Sequence, residues 1–280
     1  MMKKSVIVTS LVFVSIFGYG QESYFRFNVG YGTPFASQQI SDETTIRSST
    51  GKTKGIYGSY GKGVYFEGAY GLISKGPLGF DLEFSYLLGD SYNGTYLMDG
   101  SGGSYYEESV TSAKGFFVAP SITFTTRGKE IQGYARLGPI LGSNTITNEI
   151  NGKGGLDKLY LEVDYKGGIS MGWKSSLGIN FNASNRIVVF SELSVVAMTY
   201  YPKIGEVTKI LLNDKSAPTF LPAAQRDFEF KEEITFSTTS TANYDRLKKA
   251  YPFGSIALDI GLKINLNKSV DKINGESNGD

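Results

Sequence analysis

The sequence has no cysteine, no histidine and one tryptophan, and past Phe17 it has no long apolar run. Without cysteine there are no disulfides, no thiol nucleophile and no thiolate ligand for a metal. Without histidine the commonest general base and the commonest metal ligand are both missing. The missing apolar run excludes a helical membrane span beyond the N-terminus. A surplus of charge is lacking too: 28 basic residues face 27 acidic ones, for a net charge of +1. That balance lacks the basic footprint of a nucleic-acid partner, so none is expected.

The N-terminus reads as an export signal over residues 1–20. Lys3 and Lys4 precede an apolar core from Val6 to Phe17, and Gly18-Tyr19-Gly20 before Gln21 forms a small-x-small cleavage site. The core is too short to cross a bilayer as a helix. Its removal takes two of the 28 basic residues and no acid, leaving 26 against 27 and a net charge of −1. An exported chain without disulfides must be held by hydrogen-bond ladders or by burial in lipid.

Abundance lies elsewhere, in 35 glycines, 19 tyrosines and 18 phenylalanines. This mixture suits tight turns, close strand contacts and interfacial aromatic girdles. The last apolar segment, Ser255 to Leu266, alternates Ile256, Leu258, Ile260, Leu262, Ile264 and Leu266 with Ala257, Asp259, Gly261, Lys263 and Asn265. A strand with one greasy face and one small or charged face fits a membrane barrel, with lipid outside and a polar lumen inside.

The same period of two predicts eight strands: Tyr24 to Gly32, Lys62 to Leu72, Leu78 to Leu88, one ending at Thr125, Ile131 to Leu141, one ending near Phe181, Arg186 to Met198, and the last from Ser255. Three short turns, at 74–77, 126–129 and 182–185, alternate with four long loops, 33–61, 89–112, 142–162 and 199–252. Both chain ends then fall on the short-turn side. The fold class is therefore all-β: a single eight-stranded antiparallel transmembrane barrel over 21–266, with long extracellular loops, short periplasmic turns and a polar periplasmic tail over 267–280.

On the signal, the alternating strands and the closing Gly261-Leu262-Lys263-Ile264-Asn265-Leu266, the chain resembles the small outer-membrane β-barrel proteins of Gram-negative bacteria, particularly the porin-like barrel domain common in Bacteroidetes-type genomes. The likeness covers Gln21 to Leu266. Many such barrels end on an aromatic that the assembly machinery recognises, whereas here the strand ends at Leu266 with a polar tail behind it. The resemblance implies outer-membrane lipid and the barrel assembly machinery as partners.

Inward-pointing positions would be Arg26, Glu67, Asp81, Glu83, Arg136, Lys174, Glu192, Asp259 and Lys263. An eight-stranded barrel has room for little beyond side chains, so these nearly balanced charges are expected to pair as a plug rather than line a proton or ion path. Tyr31, Tyr70, Tyr86, Tyr165, Trp173 and Phe181 fall on the apolar faces and suit an interfacial belt; a carbohydrate-stacking platform is the sharper alternative. Tyr92, Tyr96, Tyr105 and Tyr106 read as exposed contact residues of the second loop. In the fourth loop, Asp227 to Ser237 alternates as a strand and Ala242 to Ala250 reads as a short helix before Pro252.

Motifs that resemble chemistry are weak. Gly168-Ile169-Ser170-Met171-Gly172 matches the nucleophile-elbow spacing, yet it lies in a strand and no histidine is present to act as base. Ser59-Tyr60-Gly61-Lys62 matches S-x-x-K, but a four-residue match is permissive, and the glycine-rich 58–63 segment lacks the following helix of a phosphate cradle. Asp90, Asn93 and Asp99 share a loop without the spacing of a calcium hand. No catalytic, cofactor-binding or metal residue is assigned. The expected function is that of a non-enzymatic outer-membrane protein, envelope-structural or meeting an extracellular partner through its loops. The alternative is a narrow conduit for small or hydrophobic solutes.

Overall fold

The computed structural model describes residues 22–266, apart from 75, 101–102, 127, 129, 156 and 235–244. The signal expected over 1–20 and the tail over 267–280 lie outside the described residues. Seventeen strands form among the described residues: β1 (Glu22–Pro34), β2 (Gln38–Arg47), β3 (Thr50–Gly58), β4 (Gly63–Ile73), β5 (Leu78–Gly89), β6 (Tyr92–Gly100), β7 (Gly103–Thr125), β8 (Ile131–Gly154), β9 (Asp157–Lys166), β10 (Ser170–Asn182), β11 (Ile187–Tyr200), β12 (Ile204–Leu212), β13 (Lys215–Ser216), β14 (Asp227–Lys231), β15 (Arg246–Leu247), β16 (Tyr251–Pro252) and β17 (Ser255–Asn265). Among the described residues of the fourth loop, a helical turn, α1 (Ala223–Arg226), and a 3-10 turn at Pro218–Phe220 interrupt the extended chain.

Eight of these strands close a ring. β1 pairs with β4, β4 with β5, β5 with β7, β7 with β8, β8 with β10, β10 with β11, β11 with β17, and β17 returns to β1, every pair antiparallel. The ring strands are those the alternation predicts. Closure leaves no edge, so each ring strand has a neighbour on both sides.

The ladder lapses at one level. Between β7 and β8 the pairing runs to Val118↔Leu141 and resumes at Ile122↔Leu137. Pro120 and Pro139 face each other in that gap, and neither has an amide hydrogen to give. Across its other edge each proline keeps its place, Pro120 opposite Leu82 and Pro139 opposite Trp173.

The polarity of the ring is inside out. Along β1, Phe25, Phe27, Val29 and Tyr31 are exposed while Tyr24, Arg26 and Asn28 are buried. The same inversion runs along β17, where Leu258 is 66% exposed and Asp259 is 1% exposed. All three short turns are closed by a side-chain hydroxyl. Ser74 Oγ donates to the Leu78 carbonyl (2.8 Å), Thr126 Oγ1 accepts from Gly133 N–H (2.9 Å) and Ser184 Oγ accepts from Ile187 N–H (3.0 Å).

All four long connections, read from the sequence as loops with a strand and a helix expected in the fourth alone, contain strands. β7 and β8, 23 and 24 residues long, run on past the ring as one hairpin. They exceed the 11 to 14 residues of the other ring strands by enough to project roughly 35 Å. Onto this projection β6, β2 and β3 add on one side and β9, β12, β14 and β15 on the other, forming a crown sheet at the loop end. The strand expected over Asp227 to Ser237 forms as far as Lys231. The helix expected over Ala242 to Ala250 does not form in its described part, which is extended and adds β15 beside β14. In-sheet pairing satisfies the backbone there, where a short isolated helix is marginal.

Candidate functional site

The interior is packed in two layers. In one layer, all nine inward charges read from the sequence are buried, none more than 7% exposed. Glu83 is their hub. Its carboxylate lies 2.5 Å from Arg26, 2.8 Å from Arg136 and 2.5 Å from Lys174. Glu192 takes Arg26 at 3.1 Å, a second bond from Arg136 and the Tyr134 hydroxyl at 2.8 Å. Glu67 takes Lys174 at 2.6 Å and the Asn28 amide at 2.7 Å. Asp81 accepts from Tyr24 and from Thr123 (3.0 Å), and Lys263 lies 4.1 Å above the Tyr24 ring. Such a network is favourable only when nearly every charge has a partner, as it does here.

Asp259 differs from the other acids. One oxygen accepts from Ser194 (2.9 Å), while Oδ1 has no hydrogen-bond partner among the described residues. A Cβ at Gly30 would overlap this carboxylate, so glycine is required there by close approach. The free volume left near the turn end of the network, between Tyr24, Arg26, Thr123, Asn180 and Lys263, is about 10 Å³. That is about the space of one water.

Above the charges, an apolar layer fills the loop half of the ring with Tyr65, Leu87, Phe117, Ile140, Val196, Met198 and Tyr200. Residues from the first and fourth long connections close it. Tyr60 N–H and Ser59 Oγ both donate to the Pro252 carbonyl (2.9 and 3.2 Å), and Phe253 N–H donates to Met198 (3.0 Å). The Phe253 ring then lies 5.8 Å from Tyr60 and 5.8 Å from Tyr200. Pro202 and Phe253 rank among the most deeply buried side chains, and Tyr251 is buried with them. This second plug was not legible in the sequence, because Tyr60, Tyr251 and Phe253 stand beside glycine and proline with no period to mark a face.

The chemical motifs are used structurally. Ser170 is fully buried at the start of β10 and its Oγ accepts from Asn144 (2.9 Å). Ser59 and Lys62 meet only through the backbone, where Lys62 N–H donates to the Ser59 carbonyl (3.1 Å): the Ser59 hydroxyl bonds Pro252, whereas the Lys62 ammonium pairs with Asp90 at 3.0 Å. Asp90 precedes the extended β6 and Asp99 lies near its far end, so the length of the strand holds them apart. Asp99 accepts from Ser104 (2.7 Å). Asp90 also accepts from the Tyr31 hydroxyl (2.6 Å), and this bond together with the Lys62 ammonium holds its carboxyl below the ordinary aspartate range.

Among the expected belt residues, Tyr31, Tyr70, Tyr86, Trp173 and Phe181 are exposed on the outer wall. Tyr165 is a correction: β9 belongs to the crown, and the Tyr165 ring is buried against Phe228 and Phe230. The second-loop tyrosines divide. Tyr92 is a brace whose hydroxyl donates to the Ser59 carbonyl (3.0 Å). Tyr105 packs edge-on against Tyr96, and burial followed by its bond to Glu107 (2.7 Å) pushes its hydroxyl up to about 12. Tyr106 stays exposed.

The outer wall has a recess of about 660 Å³ near the turn end. Gly133, Ala135 and Ser191 form its floor between Phe124, Leu177, Ile179 and Leu258. Small outward residues among large ones leave this hollow.

No protein-family model and no curated protein matches the chain. Among solved structures the chain is similar to the crystal structure of Neisserial surface protein A, at 10% identity and a TM-score of 0.39, over 88% of this chain and 99% of that one. It is also similar to a deletion mutant (deltaS2S3) of the monoaromatic hydrocarbon channel TodX, at 8% identity and a TM-score of 0.21, over 90% and 92%. Likenesses this distant assign no function.

Proposed function

We propose that the chain is an integral outer-membrane β-barrel protein without enzymatic activity, acting through its crown as a surface-interaction or envelope-structural protein. The inverted polarity of the closed ring carries this reading. Phe27, Leu137, Trp173, Leu177, Leu258 and Ile260 are each more than half exposed on one continuous outer wall, while nine charges lie inside. A soluble protein rarely exposes an apolar surface of that extent, whereas a bilayer covers it. Ring strands of 11 to 14 residues also suit the hydrocarbon thickness at the usual tilt. Outer-membrane lipid is then the partner of the wall, its recess included, and the barrel assembly machinery the partner for insertion.

Two plugs in series favour this reading over a solute conduit. The test is fractionation of expressing cells with protease added from outside. The protein is expected in the outer-membrane fraction, with cleavage confined to the crown and a protected fragment spanning the ring strands. Recovery in a soluble fraction would overturn the proposal.

A further inference from the structure

The crown is an open sheet, and β3 is its first strand. β3 pairs with β2 from Thr50 to Gly58, and no other strand pairs with it among the described residues. Thr50 to Lys54 and Tyr57 are exposed, and a Cβ built at Gly51 or Gly55 has only atoms of the same hairpin nearest to it. One full edge of amides and carbonyls is therefore presented beyond the ring, about 30 Å long at roughly 3.3 Å per residue.

The charge on this edge selects what it accepts. β3 contains Lys52 and Lys54 and no acid. The strand period puts both lysines on one face with Ile56, and Thr53, Gly55 and Tyr57 on the other. Lys54 lies 3.5 Å from Glu43 of β2, an exposed pair that leaves Lys52 beside the uncharged Thr45, while Arg47 on the same face stands in register with Asp99 of β6. Lysines on an edge discourage pairing with apolar or basic strands. A second copy of β3 would set lysine near lysine, which is unfavourable in a ladder. An acidic strand meets no such penalty.

We propose that the β3 edge is a docking site for an extended acidic segment of another protein, added antiparallel to the crown sheet. Opposite Ile56, Lys54 and Lys52, such a segment would read apolar-x-acid-x-acid from its N-terminus. Backbone bonds would supply affinity, and the alternate side chains would supply selectivity. This inference rests on the surface-protein reading, since an edge on the loop end meets a foreign chain only if that end faces outward.

The test uses the full chain in detergent and three labelled peptides: one with the core Ile-Thr-Glu-Thr-Glu-Thr, one with both Glu replaced by Lys, and the acidic one with alternate amides N-methylated. Fluorescence anisotropy is expected to show the acidic peptide binding at least about tenfold more tightly than the basic one, and the methylated one losing binding. The double variant Lys52→Glu/Lys54→Glu should reverse the preference, and unchanged heat-modifiable mobility would show that its barrel is intact. Equal binding of acidic and basic peptides, undiminished binding after methylation, or no binding of any peptide would overturn the proposal. Cell fractionation tests the surface-protein reading separately: an outer-membrane barrel that ignores the acidic peptide sinks only the edge proposal.

Discussion

Pro120 and Pro139 face each other across β7 and β8 at the one level where the ring ladder lapses. Each removes a donor, so a facing carbonyl goes without its ladder bond. Replacing both by alanine should restore the ladder and raise the unfolding midpoint, each regained bond contributing about 0.5–1.5 kcal/mol. Urea titration in detergent, with hydrogen exchange over 115–142, measures it. A double variant no more stable and no better protected would mean that the prolines fit the wall better than the alanines would.

A larger effect is expected at Glu83, which joins three cations from β1, β8 and β10. Glu83→Gln should lower stability by about 3–5 kcal/mol, because buried cations lose their shared counter-charge. Glu43→Gln removes only the exposed pair with Lys54 and should leave the midpoint unchanged. Asp259→Asn should also be neutral or stabilising, since Asp259 Oδ1 has no hydrogen-bond partner among the described residues. Equal losses at all three positions would dissolve the distinction between the hub and the rest.

The contrast between these acids marks how far the sequence could be read. Alternation along β1 and β17 was enough to send Arg26, Asp259 and Lys263 inward, because a strand has only two faces. The partners of Glu83 were not legible, since they depend on register and on how the ring closes, and Arg26 lies 57 residues away on a strand that is not adjacent. β2, β3 and β6 were hidden for another reason. Segments such as Thr-Gly-Lys-Thr-Lys-Gly are polar on both faces, so no alternation distinguishes them from a loop. Tyr165 was misplaced because its alternating neighbours look like a ring strand, while its ladder runs to β12 in the crown.

The latch at the rim gives a pH dependence. Asp90 bonds Tyr31 and pairs with Lys62, and its carboxyl lies below the ordinary aspartate value. A depressed carboxyl adds stability above its unfolded pKa, and this is lost as pH falls through the lowered folded value. Protection of the loop-end amides around 59–63 and 90–92, relative to the free-amide exchange rate at each pH, should therefore fall as pH drops below the ordinary aspartate range, and Asp90→Asn should show that loss already at neutral pH. Indifference of this protection to both changes would rule the latch out.

Plugging in series predicts electrical silence. Phe253→Ala opens part of the apolar layer but leaves the Arg26, Glu83, Arg136 and Glu192 network beneath it. Planar bilayers holding this variant should stay without single-channel steps, as should the parent. Removal of 204–250 behind a short Gly/Ser link should keep the barrel, provided that Pro202, Tyr251 and Phe253 remain to fill the mouth. Steps in the Phe253→Ala variant would mean that the charged layer does not seal.

The sharpest test of the fold lies on the outer wall. Leu258 and Ile260 are 66% and 61% exposed near the middle of β17, between Leu193 and Ser191 on β11 and Tyr31 and Val29 on β1. In water an arginine at either position would be welcome, since it replaces an exposed aliphatic with a solvated cation and breaks no ladder bond. In a bilayer the same change sets a cation against hydrocarbon at a cost of roughly 2–4 kcal/mol near the midplane. Leu258→Arg and Ile260→Arg should therefore depress insertion into vesicles while leaving strand content in mild detergent unchanged. Asp99→Arg at the crown should insert normally, because that end meets water. If the wall variants insert as well as the parent, lipid does not cover this face, and the inverted polarity would need a protein partner to cover it instead.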